Sequence, residues 1–172
     1  QICEERFRQS QVNKHRNIDR RKSTMAFPQD ISPVNSELTD TVTRSSELDW
    51  IETTPGTGYM KILWFSAETG RWAVIFRWKK GHVAKPHKHL TAAQAFILSG
   101  KLQVRDTIFE AGDFLYETNG MIHDETTALE DAEYLFTCDG PILYFDDDGF
   151  TDYLGWEQLQ RMQEAAQAQP NS

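Results

Sequence analysis

The sequence has few of the features that stabilise secreted or membrane proteins. Its 172 residues include only two cysteines, Cys3 and Cys138, so we expect a reducing compartment and a fold without disulfide bonds. The longest apolar runs, residues 72–76 and 95–98, are far shorter than the roughly 20 residues of a membrane-spanning helix. No charged-then-apolar leader opens the sequence. We therefore expect a cytoplasmic protein that does not act at a membrane.

Positive charge is scarce beyond the first 24 residues. The net charge is −8, yet residues 1–24 carry seven basic and three acidic side chains, which leaves −12 for the rest. An acidic body repels a phosphate backbone, so nucleic acid is excluded as a partner of the domain. Residues 1–45 are polar, basic and without apolar periodicity, and they predict an N-terminal arm. The arm is either a mobile tail or a basic binding patch.

Helical periodicity is rare, whereas short strand patterns are frequent. Only residues 156–167 repeat apolar side chains at helical spacing, with Leu159 and Met162 on one face. Turn residues separate short apolar segments through the rest of residues 46–172. The predicted strands are residues 59–65, 71–78, 94–98, 102–105, 113–117, 132–138 and 142–145. This pattern predicts one all-β domain, a sandwich or a barrel, with a C-terminal helix.

Three of the five histidines stand in a pattern typical of metal binding. His87 and His89 form a His-x-His pair, whose two side chains point to the same face of a strand. Imidazole nitrogens suit Fe(II), Zn, Ni or Cu. A lone His-x-His pair is weak evidence, because single histidines are more often surface or structural residues. On this ground His82, in the preceding turn, is predicted to be a surface residue.

The spacing around the pair makes the pattern more specific. The spaced residues are Gly81-x5-His87-x-His89, then Gly100, and then Gly112-x7-Gly120-x2-His123. These motifs resemble those of the cupin superfamily. The resemblance implies a double-stranded β-barrel, or jelly roll, in which His87, His89 and His123 bind a divalent metal. Many cupins add a glutamate ligand at the position of Ala93, so the resemblance implies a neutral three-imidazole site here.

Three longer segments narrow the resemblance. They read GKLQVR at 100–105, ETNGMIH at 117–123 and GPILYFDDDG at 140–149. They resemble the three-histidine iron dioxygenases that cleave β-diketones, the acetylacetone dioxygenase family. The dihydroxyacetophenone dioxygenases and the cupin domain of zinc-binding anti-sigma factors are similar to it. The three aspartates at 146–148 lack the further ligands of a calcium loop, and we interpret them as a turn.

The resemblance also implies roles around the metal. Glu117 matches an acidic residue behind the ligands, and Arg105 matches a polar residue close to the cavity entrance. Gln94 stands where the family has a glutamate, and we expect it to line the metal cavity. Phe96 and Phe76 are expected to line it too, because an interior site in a small barrel has mainly apolar neighbours.

The leading hypothesis is an Fe(II)-dependent dioxygenase that uses O2 to cleave a carbon–carbon bond of a β-dicarbonyl or similar enolisable small molecule. Zn or Ni could replace iron in the purified protein. The alternative is a non-catalytic zinc-binding or ligand-sensing cupin domain. A third hypothesis is a metal-dependent lyase or isomerase with Glu117 as the base. The resemblance further implies a homo-oligomer, a dimer or a tetramer.

Overall fold

Residues 41–168 are described by a computed structural model, and they form fourteen β-strands followed by one α-helix. From Val42 onward these residues belong to one compact unit. The strands are β1 (Ile51–Thr54), β2 (Gly58–Phe65), β3 (Trp72–Trp78), β4 (Val83–Ala84), β5 (His87–His89), β6 (Ala93–Ser99), β7 (Lys101–Val104), β8 (Thr107–Glu110), β9 (Phe114–Glu117), β10 (Ile122–His123), β11 (Thr126–Ala128), β12 (Ala132–Cys138), β13 (Ile142–Asp146) and β14 (Gly149–Leu154). Helix α1 covers Trp156–Ala168, and a short 3-10 helix covers Ser45–Glu47.

The strands form three antiparallel sheets. The largest has the order β1-β2-β3-β12-β6-β9, and the two smaller ones have the orders β10-β5-β13-β14 and β4-β11-β7-β8. Strands distant in sequence are neighbours in each sheet, which is the consequence of a chain that crosses repeatedly between sheets. Strand β5 therefore lies between β10 and β13, although these strands come more than thirty and fifty residues later.

The core follows the two-residue alternation of the central strands. On β12, Ala132, Tyr134, Phe136 and Cys138 are all buried, while the residues between them are partly exposed. Strand β6 alternates in the same way, with Ala93, Ala95 and Ile97 buried. Because alternate side chains of a strand point to opposite faces, one face of each strand forms the barrel interior. Leu159 of α1 is fully buried and closes the core at one side.

Gly100 allows the tight connection between β6 and β7. Its φ of +73° lies in the left-handed region, which residues with a Cβ rarely adopt. A Cβ atom added there would also lie 2.7 Å from Cα of Ala132 on the neighbouring chain segment. A glycine is therefore required at position 100, both by the left-handed backbone conformation and by the lack of room for a Cβ atom.

The seven strands predicted from the sequence are all present, with ends shifted by one residue at most. The structure adds the seven strands β1, β4, β5, β8, β10, β11 and β14, and α1 extends one residue beyond its predicted end. The aspartates at 146–148 do form a turn, in which Asp148 N donates to Asp146 Oδ1. Of the predicted arm, residues 1–40 lie outside the described residues. No helix in the described part of the chain has the length and apolar character to cross a bilayer.

Candidate metal centre

Strand pairing brings the three motif histidines together. His87 and His123 are direct cross-strand partners in the pairing of β5 with β10. On its other side, β5 pairs with β13, where Tyr144 is opposite His87 and Ile142 is opposite His89. His87 and His89 are two residues apart on β5, so their rings share one face. The local sequence thus sets the His-x-His pair, and the β5–β10 pairing supplies the third imidazole.

The three rings form a nearly equilateral cluster. The ring centroids are 4.9 Å apart for His87 and His123, and 5.1 Å apart for each pair that includes His89. One ring nitrogen from each histidine lies within 4.8 Å of the others. His89 is 1% exposed and His123 is 3% exposed, whereas His87 is only partly buried. These three residues could hold a metal ion, as the motif spacing predicts.

The hydrogen bonds around the rings fit a metal site. His87 Nδ1 lies 2.8 Å from the Lys85 carbonyl oxygen, so Nδ1–H donates and Nε2 keeps its lone pair for a metal. Both ring nitrogens of His89 and Nδ1 of His123 are buried without a hydrogen-bond partner among the described residues, whereas His123 Nε2 faces a carboxylate oxygen of Glu117. Leaving such polar atoms unpaired costs about 1–3 kcal/mol each. A bound divalent ion would remove this cost for one nitrogen of each ring, since each neutral imidazole offers a single lone pair as a ligand.

Glu117 places a carboxylate beside the imidazole cluster. Its Oε1 lies 3.0 Å from His123 Nε2, and its Oε2 lies 3.7 Å from His89 Nδ1. The residue is 9% exposed, and Oε2 has no hydrogen-bond partner within residues 41–168. The site is therefore not purely neutral, because this carboxylate adds a negative charge next to two of the three histidines. The role of Glu117 behind the ligands, implied by the resemblance, stays a prediction.

Burial decides the protonation of the cluster. Desolvation lowers the pKa of His89 to about 4, with a partial offset from the negative charge of Glu117. Desolvation also lowers the pKa of His87. Burial by itself raises the pKa of Glu117, but the neighbouring imidazoles, His123 first, outweigh it and lower that pKa. Near neutral pH, His87 and His89 are therefore uncharged and able to coordinate a metal, while Glu117 is ionised.

Arg105 lies in the turn between β7 and β8 and is exposed. Its φ of +52° is in the left-handed region, the one such value among the non-glycine residues that the structure describes. Its guanidinium Nη2 donates to the carbonyl oxygen of Ile122 over 2.7 Å. Arg105 thereby ties the β7–β8 turn to β10, the strand that carries His123. It is not among the residues that line the cavity, and its predicted role at the entrance stays a prediction.

A cavity of about 50 Å³ opens next to the histidines. Polar groups line one side, from His87, His89 and Glu117, and the rest of the wall is mainly apolar. The other lining residues are Trp78, Ala95, Ile97, Leu102, Val104, Leu115, Thr126, Tyr134 and Phe136. A space of this size holds only a small molecule, and its mostly apolar wall is typical of a ligand pocket.

The three expected cavity residues are not among those that line it. Gln94 and Phe96 alternate with the buried residues of β6, so they point to the opposite face of the sheet. Phe96 is 41% exposed, and Gln94 Oε1 accepts a hydrogen bond from the Thr137 hydroxyl. Phe76 does face inward, but it lies behind the wall and packs on the rings of Tyr134 and Phe136. For Gln94 and Phe96 the expectation was wrong because the alternation of β6 had not been assigned to a face.

The expectation that His82 is a surface residue was also wrong. His82 is 6% exposed, its ring packs 4.5 Å from that of Trp78, and its Nδ1 lies 3.0 Å from the Thr57 hydroxyl. It is a buried structural histidine away from the cluster. Its pKa is lowered by desolvation.

Tyr134 and Thr126 are the polar cavity residues that the sequence reasoning missed. Tyr134 belongs to the predicted strand 132–138, whose four buried positions alternate through the strand. That alternation was a usable signal, because it places Tyr134 and Phe136 on the same face. Thr126 gave no such signal, since β11 is only three residues long.

The matches to known proteins agree with this geometry. The family described as the ChrR cupin-like domain matches residues 38–143, more than half of the chain. The chain belongs to this cupin family. The expected fold, a cupin β-barrel with a C-terminal helix, is confirmed.

Individual cupins are similar at lower identity. The chain is 29% identical over 107 residues to the acetylacetone-cleaving enzyme of Acinetobacter johnsonii, a match that covers 58% of this chain and 70% of the relative. The crystal structure of acetylacetone dioxygenase from the same organism superimposes with a TM-score of 0.68 at 22% identity, covering 74% of this chain and 93% of that one. That of a putative acetylacetone dioxygenase from Methylibium petroleiphilum also has a TM-score of 0.68, at 24% identity, and the match covers 79% and 99% of the two chains. The chain is thus a cupin with a candidate three-histidine metal site.

Proposed function

We propose that this cupin is an Fe(II)-dependent dioxygenase that cleaves a carbon–carbon bond of a small β-dicarbonyl or similarly enolisable compound with O2. The observation that carries the proposal is the cluster of His87, His89 and His123 beside a small, mostly apolar cavity. The similarity to the acetylacetone-cleaving enzyme supports this chemistry. When bound, the iron would supply the Lewis acidity that favours an enolate and the redox chemistry with O2.

The residues of the chain would contribute ligation and orientation. The Lys85 carbonyl holds His87 in the tautomer that leaves Nε2 free, and the low pKa values of His87 and His89 keep both rings neutral. Glu117, ionised beside His123 and His89, would orient their imidazoles and offset part of the charge of the metal. The same carboxylate lies close enough to the cluster to accept a proton when the substrate enolises.

The cavity wall would exclude bulk water and restrict substrate size. Ala95, Ile97 and Phe136 present aliphatic and aromatic surface from two neighbouring strands. A wall of this kind strengthens electrostatic interactions inside the site and limits side reactions with water. A volume of about 50 Å³ would favour small substrates over large ones.

The test is a comparison of metal content and oxygen uptake. The full-length protein is purified without added metal, analysed for bound metal, loaded anaerobically with Fe(II), and mixed with a panel of short β-diketones in an oxygen electrode. We expect one metal ion per chain and Fe(II)-dependent O2 uptake with at least one diketone. His123→Ala should abolish the uptake, whereas His82→Ala, outside the cluster, should retain it.

Three results would contradict the proposal. Oxygen uptake that is unchanged in His123→Ala would mean that the cluster is not the site of reaction. One zinc per chain and no uptake with any enolisable compound would favour a non-catalytic zinc-binding or ligand-sensing domain. Turnover of a diketone without O2 consumption would instead favour a lyase or isomerase.

A further inference from the structure

Tyr134 is a buried polar residue of the cavity that the proposed reaction leaves unused. It lines the cavity and is 5% exposed. Within residues 41–168 its hydroxyl has no hydrogen-bond partner, and only burial and nearby charged groups affect its ionisation. An unpaired hydroxyl inside a mostly apolar wall costs free energy unless a bound molecule or water pairs with it. A leucine or phenylalanine would fill this position without that cost.

Tyr134 lies on the same strand as Phe136, whose ring is close to the metal cluster. Phe136, two residues further along β12, has its ring 6.0 Å from that of His89. Tyr134 has its ring 5.1 Å from Trp78, another lining residue. Tyr134 precedes Phe136 by two residues on β12, which is about 7 Å along the strand. The cavity therefore has polar side chains besides those of the imidazole cluster and Glu117, namely Tyr134 and Thr126, and of these two Tyr134 carries the aromatic hydroxyl.

The Tyr134 hydroxyl acts as a hydrogen-bond donor at ordinary pH. Burial, with a smaller effect from the negative charge of Glu117, raises the pKa of Tyr134 well above its usual value. A neutral phenol donates its proton to an oxygen acceptor. A buried site with an unpaired donor discriminates against a ligand that lacks the matching acceptor, because the donor then stays unpaired.

We propose that Tyr134 is a specificity-determining residue, which selects small β-dicarbonyl substrates that carry a third oxygen atom in the side chain over those with a plain hydrocarbon side chain. This inference rests on the proposed function, because the two carbonyl oxygens are assigned to the metal cluster. The Tyr134 hydroxyl donates to the third oxygen, while Phe136 and Ile97 contact the carbon atoms between the two polar ends.

The test uses two ligands that differ by one atom. In 1-methoxypentane-2,4-dione an ether oxygen replaces a methylene of heptane-2,4-dione, at nearly the same size. Dissociation constants of both are measured anaerobically by calorimetry on the full-length, metal-loaded protein, with Zn(II) in parallel with Fe(II), so no turnover is required. The variants are Tyr134→Phe, which removes only the hydroxyl, and Tyr116→Phe, the same change at a residue 59% exposed on the outer face.

We expect the wild-type protein to prefer the methoxy ligand by about tenfold, the effect of one hydrogen bond. Tyr134→Phe should lose this preference through weaker binding of the methoxy ligand, with metal content and thermal stability unchanged, and Tyr116→Phe should keep it. A difference in enol acidity between the two ligands affects every variant equally, so it cancels when the ratio of their dissociation constants in Tyr134→Phe is divided by the ratio in wild type.

The possible failures are distinguishable. If both ligands bind but the preference is equal in wild type and Tyr134→Phe, the role of Tyr134 is wrong and the proposed function stands. If both ligands bind with the expected preference but no O2 is consumed, the oxygenase proposal fails and the role of Tyr134 stands. If neither ligand binds the metal-loaded protein, both proposals are overturned.

Discussion

Ala93 and Glu117 are direct cross-strand partners in the pairing of β6 with β9. Ala93, fully buried, occupies the position where the resemblance implies a glutamate ligand in many cupins. The partner residue Glu117 supplies a carboxylate instead, with Oε1 3.0 Å from His123 Nε2. The carboxylate of this site therefore comes from β9, directly opposite the β6 position at which many cupins carry a glutamate ligand. The Glu117 carboxylate adds a negative charge beside the imidazole cluster.

Removal of the Glu117 carboxylate should weaken metal binding. For Glu117→Ala we expect a loss of about 10–100-fold in affinity, since groups that orient and polarise metal-binding histidines contribute that much. The metal affinity of Glu117→Gln should lie between those of wild type and Glu117→Ala, because glutamine keeps the shape of the side chain and loses its charge. Competition with a chromophoric chelator measures the affinity. Glu133→Ala, which removes the partner of Arg77 at the surface, is the control and should bind metal as wild type does. Equal affinity in all four proteins would contradict the prediction.

A bound metal should stabilise the fold through the three histidines. An ion at a hundred times its dissociation constant adds about 3 kcal/mol to the free energy of unfolding. For a domain of this size, that raises Tm by about 5–10 °C. Differential scanning calorimetry with and without a chelator should show this shift in wild type. The shift should vanish in His123→Ala and persist in His82→Ala, even though the latter starts from a lower Tm.

The stability of the metal-free protein should fall as the pH is lowered from about 6.5 towards 4. The folded-state pKa of His89 is about 4 and that of His87 is also lowered, both by desolvation, whereas an unfolded histidine titrates near 6.5. The unfolded chain therefore binds more protons in this window, and the free energy of unfolding decreases with falling pH. Each such histidine contributes a slope of about 1 kcal/mol per pH unit.

Urea unfolding at pH 7, 6 and 5 measures this slope. Protonation of folded Glu117 does not contribute to the slope between pH 7 and pH 5, because its pKa is lowered from 4.5 and lies below this range. The variant His89→Gln should show a shallower slope than wild type. A free energy of unfolding that is constant or rises between pH 7 and pH 5 would contradict the assignment of these histidines as neutral in the folded state.

Gly100→Ala should destabilise the protein more than the same change at another glycine with positive φ. At Gly100 the new Cβ adds a clash with the backbone of Ala132 to the cost of the left-handed conformation, and we expect roughly 2–4 kcal/mol in total. Gly56 has a similar φ of +72°, but a Cβ there meets nothing within 4 Å. Gly56→Ala should therefore cost only about 1 kcal/mol. Urea midpoints of the two variants test the difference, and equal losses would show that space at Gly100 is not limiting.

The sequence predicted the strands that carry their own signal. Strands β3 and β12 were found because seven residues of alternating or apolar character suffice to identify a strand without its neighbours. Strand β14 was missed, since four of its six residues are exposed and none of its pattern alternates. Strands β4 and β10 have two residues each and exist only because partners hold them.

In the candidate site, too, the features with a local sequence signal were predicted and those that depend on distant strands were not. The spacing of His87, His89 and His123 predicted one cluster, and their ligand atoms do lie together. The cavity wall was predicted poorly. Phe96 was chosen for its aromatic character, yet the residue that lines the cavity on the same strand is Ala95, one position earlier. A one-residue error in facing moves a side chain to the other side of the sheet.

The order of the amino acids alone therefore specified the class of fold, the positions of the turns and the identity of the metal-binding candidates, because these depend on alternation, glycine and motif spacing along a short stretch of chain. The distances of Glu117 from two histidines, the burial of His82 and the exposure of Tyr134 to the cavity became known only in the folded molecule. They arise from pairing between strands that are distant in the chain, and the register of such pairing depends on how all three sheets pack around one core.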